Sequence, residues 1–403
     1  MNDSHNWEGR GCDLNLQYQQ TFADNYPLPA ITDYVTGKTY TYGDLAKRIA
    51  RIHLFFEAAG IRPGDKVALL GKNTPLWIMI YMASLTYGSV IVPILNDFNP
   101  ADAANIIDHS DASLLFVSDA IWDHISEHEF PEVRAVVSLD SRKMLRCADV
   151  KLTRFLKDLP RRFSRRYPGG FTREDIVYRP RANEEVAILN YTSGTTGFSK
   201  GVMLTYDNVA GNVFFGIKTR LHYQGSRALS FLPLAHAYGC AFDMLVPLAV
   251  GSHITVLGKT PTPAILVKAM AQVKPNLIIC VPLILEKIYS KMIVPMITKK
   301  PMRWILAVPM LDRAIYSRIR ARLVETFGGA FEEIIIGGAP LNPEVEDFLY
   351  RINFPFTVGY GMTECGPLIS YTPWREFVPG SSGRLLPDME AIILSDDPEN
   401  IPG

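Results

Sequence analysis

From residue 64 onward, apolar and polar positions fall in blocks. Runs that are apolar at nearly every position, KVALL (66–70), SVIVPI (89–94), SLLFV (113–117) and RAVVSL (134–139), are separated by segments of helical length such as PLWIMIYMASLTY (75–87) and PADAANIIDHS (100–110). A strand with one wet face would alternate with a period of two; these do not, so the pattern predicts parallel strands covered by helices on both faces. The pattern resumes with ALSFL (228–232), SHITVL (252–257), NLIICV (276–281) and EEIIIG (332–337), which predicts a second α/β unit. The uncharged run Asn73 to Asn96 is long enough to cross a membrane, but Gly88 and Pro93 divide it, and it reads as a buried helix followed by a buried strand. The expected organisation is a first α/β unit over 1–180, a second over 181–375, and the start of a β-rich part over 376–403.

Three turns between these elements carry chemistry. YTSGTTGFSKG (191–201) follows the apolar run VAIL (186–189) and precedes a helix for which Thr205 is the expected cap. Its glycines let backbone N–H groups approach a ligand, its hydroxyls add donors and Lys200 adds a mobile positive charge, a combination suited to a polyphosphate. Ser199 separates Lys200 from the glycines, so this is not the common G-x-x-x-x-G-K-[ST] loop. IIIGGAPLNPEVEDFL places a small-residue turn before a helix with Asn342 as cap and Pro343 in its first position, leaving room for a flat ring at 337–340. FTVGYGMTECGP ends a strand at Val358 and presents Tyr360, Thr363 and Glu364. All three turns fall at strand ends, where open α/β sheets bind ligands. Together they describe a nucleoside triphosphate with magnesium.

Charge and cysteine content narrow the partners. Lysine plus arginine and aspartate plus glutamate number 41 each, so no net field draws the chain to nucleic acid. Five scattered cysteines without a C-x-x-C pair argue against a disulfide framework or zinc site and favour a reducing cytosol. The N-terminus has no signal-peptide pattern. Two basic segments stay open: KLTRFLKDLPRRFSRRYPGG (151–170) reads as a solvated linker or a contact for an anionic surface or phosphorylated ligand, and WILAVPML (304–311) as a core helix or a lipid contact.

YTSGTTGFSKGV, GGAPL, GYGMTE and SSGRLLPDMEAIIL resemble, in order and rough spacing, the motifs of the adenylate-forming superfamily, from YTYGDLAKRIA (40–50) to the end of the chain. The resemblance implies the large N-terminal domain of that fold, two stacked doubly wound α/β subdomains with a smaller β-rich part. It implies a ligase that uses ATP and Mg2+ to convert a carboxylic acid to acyl-AMP and then, with coenzyme A, to acyl-CoA. Carried over, Thr192, Ser193, Gly194, Thr195, Thr196, Gly197 and Lys200 match the loop on the β- and γ-phosphates; Gly338, Ala339 and Pro340 match the adenine slot, and Tyr360, Gly361 and Met362 continue that site. Thr363 matches the α-phosphate contact and Glu364 the magnesium ligand, with Thr363, Glu364 and Lys200 the catalytic set. His236 and Gly361 match positions beside the acid, although a histidine satisfied at a strand end is an alternative for His236. LPLAHAYG with PNLIICVPLILEKIY is most similar to the long-chain fatty acyl-CoA synthetase branch. A carrier-protein acceptor and a non-catalytic nucleotide- or acyl-binding module are the alternatives; a peripheral membrane contact and a homodimer stay open. The family continues beyond the equivalent of Gly403 into a ribose-binding aspartate, a hinge and a C-terminal domain with a lysine used in adenylation, so a truncated chain is expected to be weak in the full reaction.

Overall fold

The computed structural model describes residues 13–192, 200–297, 311–387 and 389–392. The expected strands form, and they assemble into one large mixed sheet and further, smaller sheets. In the large sheet the order is Met144–Cys147, Ala135–Ser138, Ala112–Val117, Lys66–Leu70, Val90–Ile94, Val186–Thr192 and Lys200–Thr205. The five central strands run parallel, and the two edge strands are antiparallel to their neighbours. Ala112–Val117, Ala135–Ser138 and Val90–Ile94 are buried at every position, as strands covered on both faces must be.

The Asn73 to Asn96 run divides as expected. Thr74 caps the Pro75–Tyr87 helix by accepting from Trp77 N, Gly88 ends it at φ +90°, and the Val90–Ile94 strand follows. The helix is buried nearly all round, so it is a core element between layers. Among the described residues, no helix is long and apolar enough to cross a membrane.

A four-stranded sheet in the order Arg227–Ser230, His253–Val256, Pro29–Asp33, Thr39–Thr41 and a parallel three-stranded sheet Leu277–Cys280, Glu333–Ile336, Phe356–Val358 are two of these. Arg227 joins them: its carbonyl accepts from Asn276 N at 2.9 Å, and its N–H donates to Asn276 Oδ1 at 2.9 Å. A small antiparallel sheet, Tyr360–Gly361, Leu368–Tyr371 and Arg384–Leu385, follows.

Strand pairing runs across the expected division at residue 180. Val186–Thr192 and Lys200–Thr205 belong to the first sheet, through Ile91 against Ile188, while Pro29–Asp33 lies parallel to His253–Val256 in the second. The reason is burial: an apolar strand joins whichever sheet can cover both of its faces, irrespective of its place in the chain.

The basic segment 151–170, read as a solvated linker, is helical. It forms two short helices, Val150–Lys157 and Leu159–Arg166, that bury Leu152 and Phe163 against the Tyr42–Ala58 helix while most of their cations face water. WILAVPML lies outside the described residues apart from Leu311, which opens the Leu311–Thr326 helix.

Candidate active site

The carboxyl ends of the three parallel strands open into one cleft of about 310 Å3. Val281 follows Leu277–Cys280, Gly337 and Gly338 follow Glu333–Ile336, and Gly359 follows Phe356–Val358; all line the cleft. The opposite wall is the segment Leu232 to Gly239. Strand ends of this kind leave backbone groups without ladder partners, which is why such crevices take ligands.

Small residues are required where the walls approach. A Cβ on Gly361 would lie 2.3 Å from the Pro367 carbonyl oxygen, and one on Gly337 would lie 3.0 Å from the Tyr238 ring. Gly338 adopts φ +85°, a conformation that costs a side-chain-bearing residue about 1–2 kcal/mol. Tyr360 leaves 53 % of its surface exposed and Met362 leaves 43 %. An aromatic face left uncovered at the rim of a cleft is available for stacking on a flat ring.

Gly338, Tyr360, Gly361, Met362, Thr363 and His236 are brought together in this cleft. Ala339 and Pro340 follow Gly338 on the exposed rim and do not line it. Thr192 pairs with Lys200 at the end of the hairpin, and the Lys200–Thr205 strand lies beside the Thr363–Cys365 turn, but neither Thr192 nor Lys200 lines the cleft. Ser193, Gly194, Thr195, Thr196 and Gly197 lie outside the described residues. Glu364 sits exposed in the Thr363–Cys365 turn.

Among the described residues, no group of three or more His, Cys, Asp or Glu side chains could hold a metal by itself. A lone exposed carboxylate next to a cleft residue suits Mg2+, which keeps several waters and is commonly held by one or two carboxylates plus substrate phosphates. Glu364 fits that requirement; a structural zinc or calcium cage would not be met here.

His236 stands at the N-terminal end of the short helix beginning at Ala237. It remains substantially exposed, yet partial desolvation lowers its pKa from the ordinary value, with the Asp97 carboxylate pulling the other way. The segment before it is held by Asn73, in the turn after Lys66–Leu70, and by Asn190 of the large sheet. Asn73 Nδ2 donates to the Leu232 carbonyl at 2.7 Å, Leu234 N donates to Asn73 Oδ1 at 3.1 Å, and Asn190 Nδ2 donates to the Ala235 carbonyl at 2.9 Å. Asn212, in the Tyr206–Lys218 helix, accepts from Leu368 N at 2.9 Å and donates to the Cys365 carbonyl, fixing the far end of the Thr363 turn. Tyr238 closes the inner end, its hydroxyl donating to the Ile335 carbonyl at 3.0 Å.

Sequence reasoning missed these four residues. Asn190 and Asn212 carried a signal, since each is an amide inside an apolar run, VAILNYT and VAGNVFF. A buried amide needs partners. Asn73 and Tyr238 carried no signal of this kind.

Proteins of known kind resemble this chain. The family described as "AMP-binding enzyme" matches residues 19–403. The chain is 28 % identical over 393 residues to the peroxisomal long chain acyl-CoA synthetase 6 of Arabidopsis thaliana, covering 90 % of this chain and 53 % of that protein. It is also 28 % identical over 332 residues to a feruloyl-CoA synthase of an Amycolatopsis species, covering 82 % of this chain and 56 % of that one. The chain thus spans about half the length of these relatives. The inhibitor-bound N-terminal domain of FACL13 from Mycobacterium tuberculosis superposes with a TM-score of 0.68 at 20 % identity, over 93 % of this chain and 82 % of that domain. Its fold is that of an adenylate-forming N-terminal domain, and the chain belongs to the AMP-binding enzyme family.

Proposed function

We propose that this chain supplies the ATP and acid sites of an AMP-forming acid–thiol ligase. The observation that carries the reading is the convergence on one cleft of an exposed tyrosine ring, a glycine-lined slot and Thr363, with Glu364 next to Thr363 and the Lys200–Thr205 strand against the Thr363–Cys365 turn. In this reading adenine lies between Gly338 and Tyr360, with Ala339 and Pro340 on the rim. The hairpin loop and Lys200 hold the β- and γ-phosphates, Thr363 donates to the α-phosphate and Glu364 holds Mg2+, which neutralises phosphate charge when bound. The acid lies beside His236 and Gly361. Its carboxylate oxygen attacks the α-phosphorus in line; the new O–P bond forms as the α–β anhydride bond breaks, and pyrophosphate leaves. The protein's contribution is placement and charge stabilisation, with no side-chain nucleophile. Coenzyme A then accepts the acyl group and AMP is released. The four described cysteines are unpaired, in keeping with a reducing cytosol.

The acid we favour is a medium- or long-chain fatty acid, because the relatives include long chain acyl-CoA synthetases. A compact aromatic acid is the second reading, favoured by the Tyr238 ring at the inner end of a modest cleft. Apolar burial adds about 0.8 kcal/mol per methylene until a tunnel is full, so a chain-length series on the full-length protein, with a hydroxycinnamic acid included, separates the two. The adenylation reading itself is tested by pyrophosphate exchange with Glu364→Ala and Lys200→Ala. Both variants are expected to lose exchange while keeping the native circular dichroism spectrum; exchange at the wild-type rate in Glu364→Ala would refute the metal assignment.

A further inference from the structure

A second cavity, of about 590 Å3, shares no lining residue with the cleft. Its floor is apolar, built by Ile52 and Phe55 of the Tyr42–Ala58 helix, Leu76 and Ile80 of the Pro75–Tyr87 helix, and Phe116 and Val137 from the large sheet. The two helices of the basic segment form its roof, turning Leu156 and Leu159 toward it. The rim is cationic: Arg48, Arg51, Arg142, Lys143 and Lys157 line it, and no carboxylate does.

None of these five cations pairs with a carboxylate among the described residues. Arg48 rests over the Tyr40 ring at 5.1 Å and Arg51 over the Phe163 ring at 4.8 Å, which holds both guanidinium groups in place. Arg51 Nε is buried without a hydrogen-bond partner. Such a donor is costly to leave unmade, and cations crowded together without counter-charge repel one another. An apolar void has the complementary deficit, because its lining atoms lack dispersion partners. One ligand removes both deficits if it joins a hydrocarbon chain to an anionic head, and the volume lies in the usual range for small-molecule sites.

We propose that this cavity is a binding site for an anionic single-chain amphiphile, its alkyl chain on the Ile52, Ile80 and Phe116 floor and its carboxylate or phosphate head among Arg48, Arg51, Arg142, Lys143 and Lys157. The site is separate from the cleft and stands whether or not the proposed acid activation is correct. It also gives the basic segment a role: the segment roofs the cavity and supplies Lys157 at its mouth.

The test is titration of the chain with dodecyl phosphate and dodecanoate below their micelle concentrations, read by hydrogen exchange over residues 42–58 and 150–166. Inorganic phosphate and dodecyltrimethylammonium serve as controls. Dodecanoate would also enter the cleft if it is a substrate, so protection of these two segments, and not total binding, is the readout. Saturable protection by either anionic amphiphile, with affinity rising about fourfold per added methylene in a homologous series, is the expected result. The stronger of the two identifies the head. Arg51→Met should weaken protection roughly tenfold or more, and Leu156→Trp should weaken it and shorten the longest chain accepted by intruding on the cavity. If either fails to fold, the exposed pair Arg142→Glu and Lys157→Glu provides the same reading of the head. No protection by either anion, equal protection by inorganic phosphate or by the cationic amphiphile, or protection unchanged in all folded variants would overturn the site.

Discussion

His222 is buried and His53 half-buried; both are held neutral, and this makes a residue-scale prediction about acid stability. His53 Nε2 lies 3.0 Å from the Ala83 carbonyl and His222 Nε2 lies 3.2 Å from the Phe242 carbonyl, so each carries its proton on Nε2. Burial pushes both pKa values down to about 4, with those backbone bonds pulling weakly the other way. The unfolded chain binds the proton near pH 6.5, whereas the native chain does not until about pH 4. Their contribution is therefore complete above about pH 6.5 and is lost as the pH falls toward about 4, by something on the order of 3 kcal/mol each. Urea melts across this window should show a shallower pH dependence for His222→Gln than for the wild type. Identical slopes would mean that His222 is not buried neutral. Where a residue stood in a short turn after a strand, as with Gly361 or Thr363, its place at the cleft was legible in sequence. The histidines were not, because the carbonyls that hold them come from elements 20 or more residues away.

At the scale of elements, local chemistry predicted most of what formed. Thr205 accepts from Asn208 N and starts the Tyr206–Lys218 helix, and Asn342 accepts from Glu344 N at 2.9 Å to start Pro343–Arg351. The latter cap matters to the cleft, because Asn342 also donates its backbone N–H to Glu286 Oε1 at 3.0 Å, tying down the turn that begins at Gly337. Asn342→Ala should destabilise the protein by about 1 kcal/mol and weaken ATP-analogue binding slightly, since the backbone tie to Glu286 survives. A calorimetric titration showing complete loss of binding in a variant with native stability would contradict this division of labour. Two helices depart from regular form, with π-helical turns at Ala241–Leu245 and Tyr289–Ile293. Apolar periodicity places a helix at these positions but does not register one extra residue in a turn. The basic segment shows the opposite limit: its cations suggested a linker, while the spacing of Leu152, Leu156, Leu159 and Phe163 is what packs it as helices.

For the whole molecule, the decisive feature is that the candidate site is assembled by one sheet and held by another. The segment carrying His236 follows the Arg227–Ser230 strand, but Asn190 of the large sheet and Asn73, in the turn after its Lys66–Leu70 strand, hold its carbonyls and N–H. Asn190→Ala would leave the buried Ala235 carbonyl without this donor, at a cost of about 1–3 kcal/mol. If the acid binds beside His236, its affinity should fall more than that of ATP; equal loss for both ligands, measured separately, would show that the segment does not serve the acid specifically. The sequence by itself determined the type of the apolar strands and capped helices it singled out, the position of the small-residue turns at 337–340 and 359–364, and the family to which the chain belongs, because periodicity, caps and short glycine-rich motifs act within a few residues. Only the tertiary structure decided which sheet each strand joins, as in the pairing of Ile31 with Ile254 and of Ile91 with Ile188, which asparagines support His236, and where a cationic rim closes over an apolar cavity. Pairing and burial are settled by which distant surfaces can be covered together, and no local pattern encodes that choice.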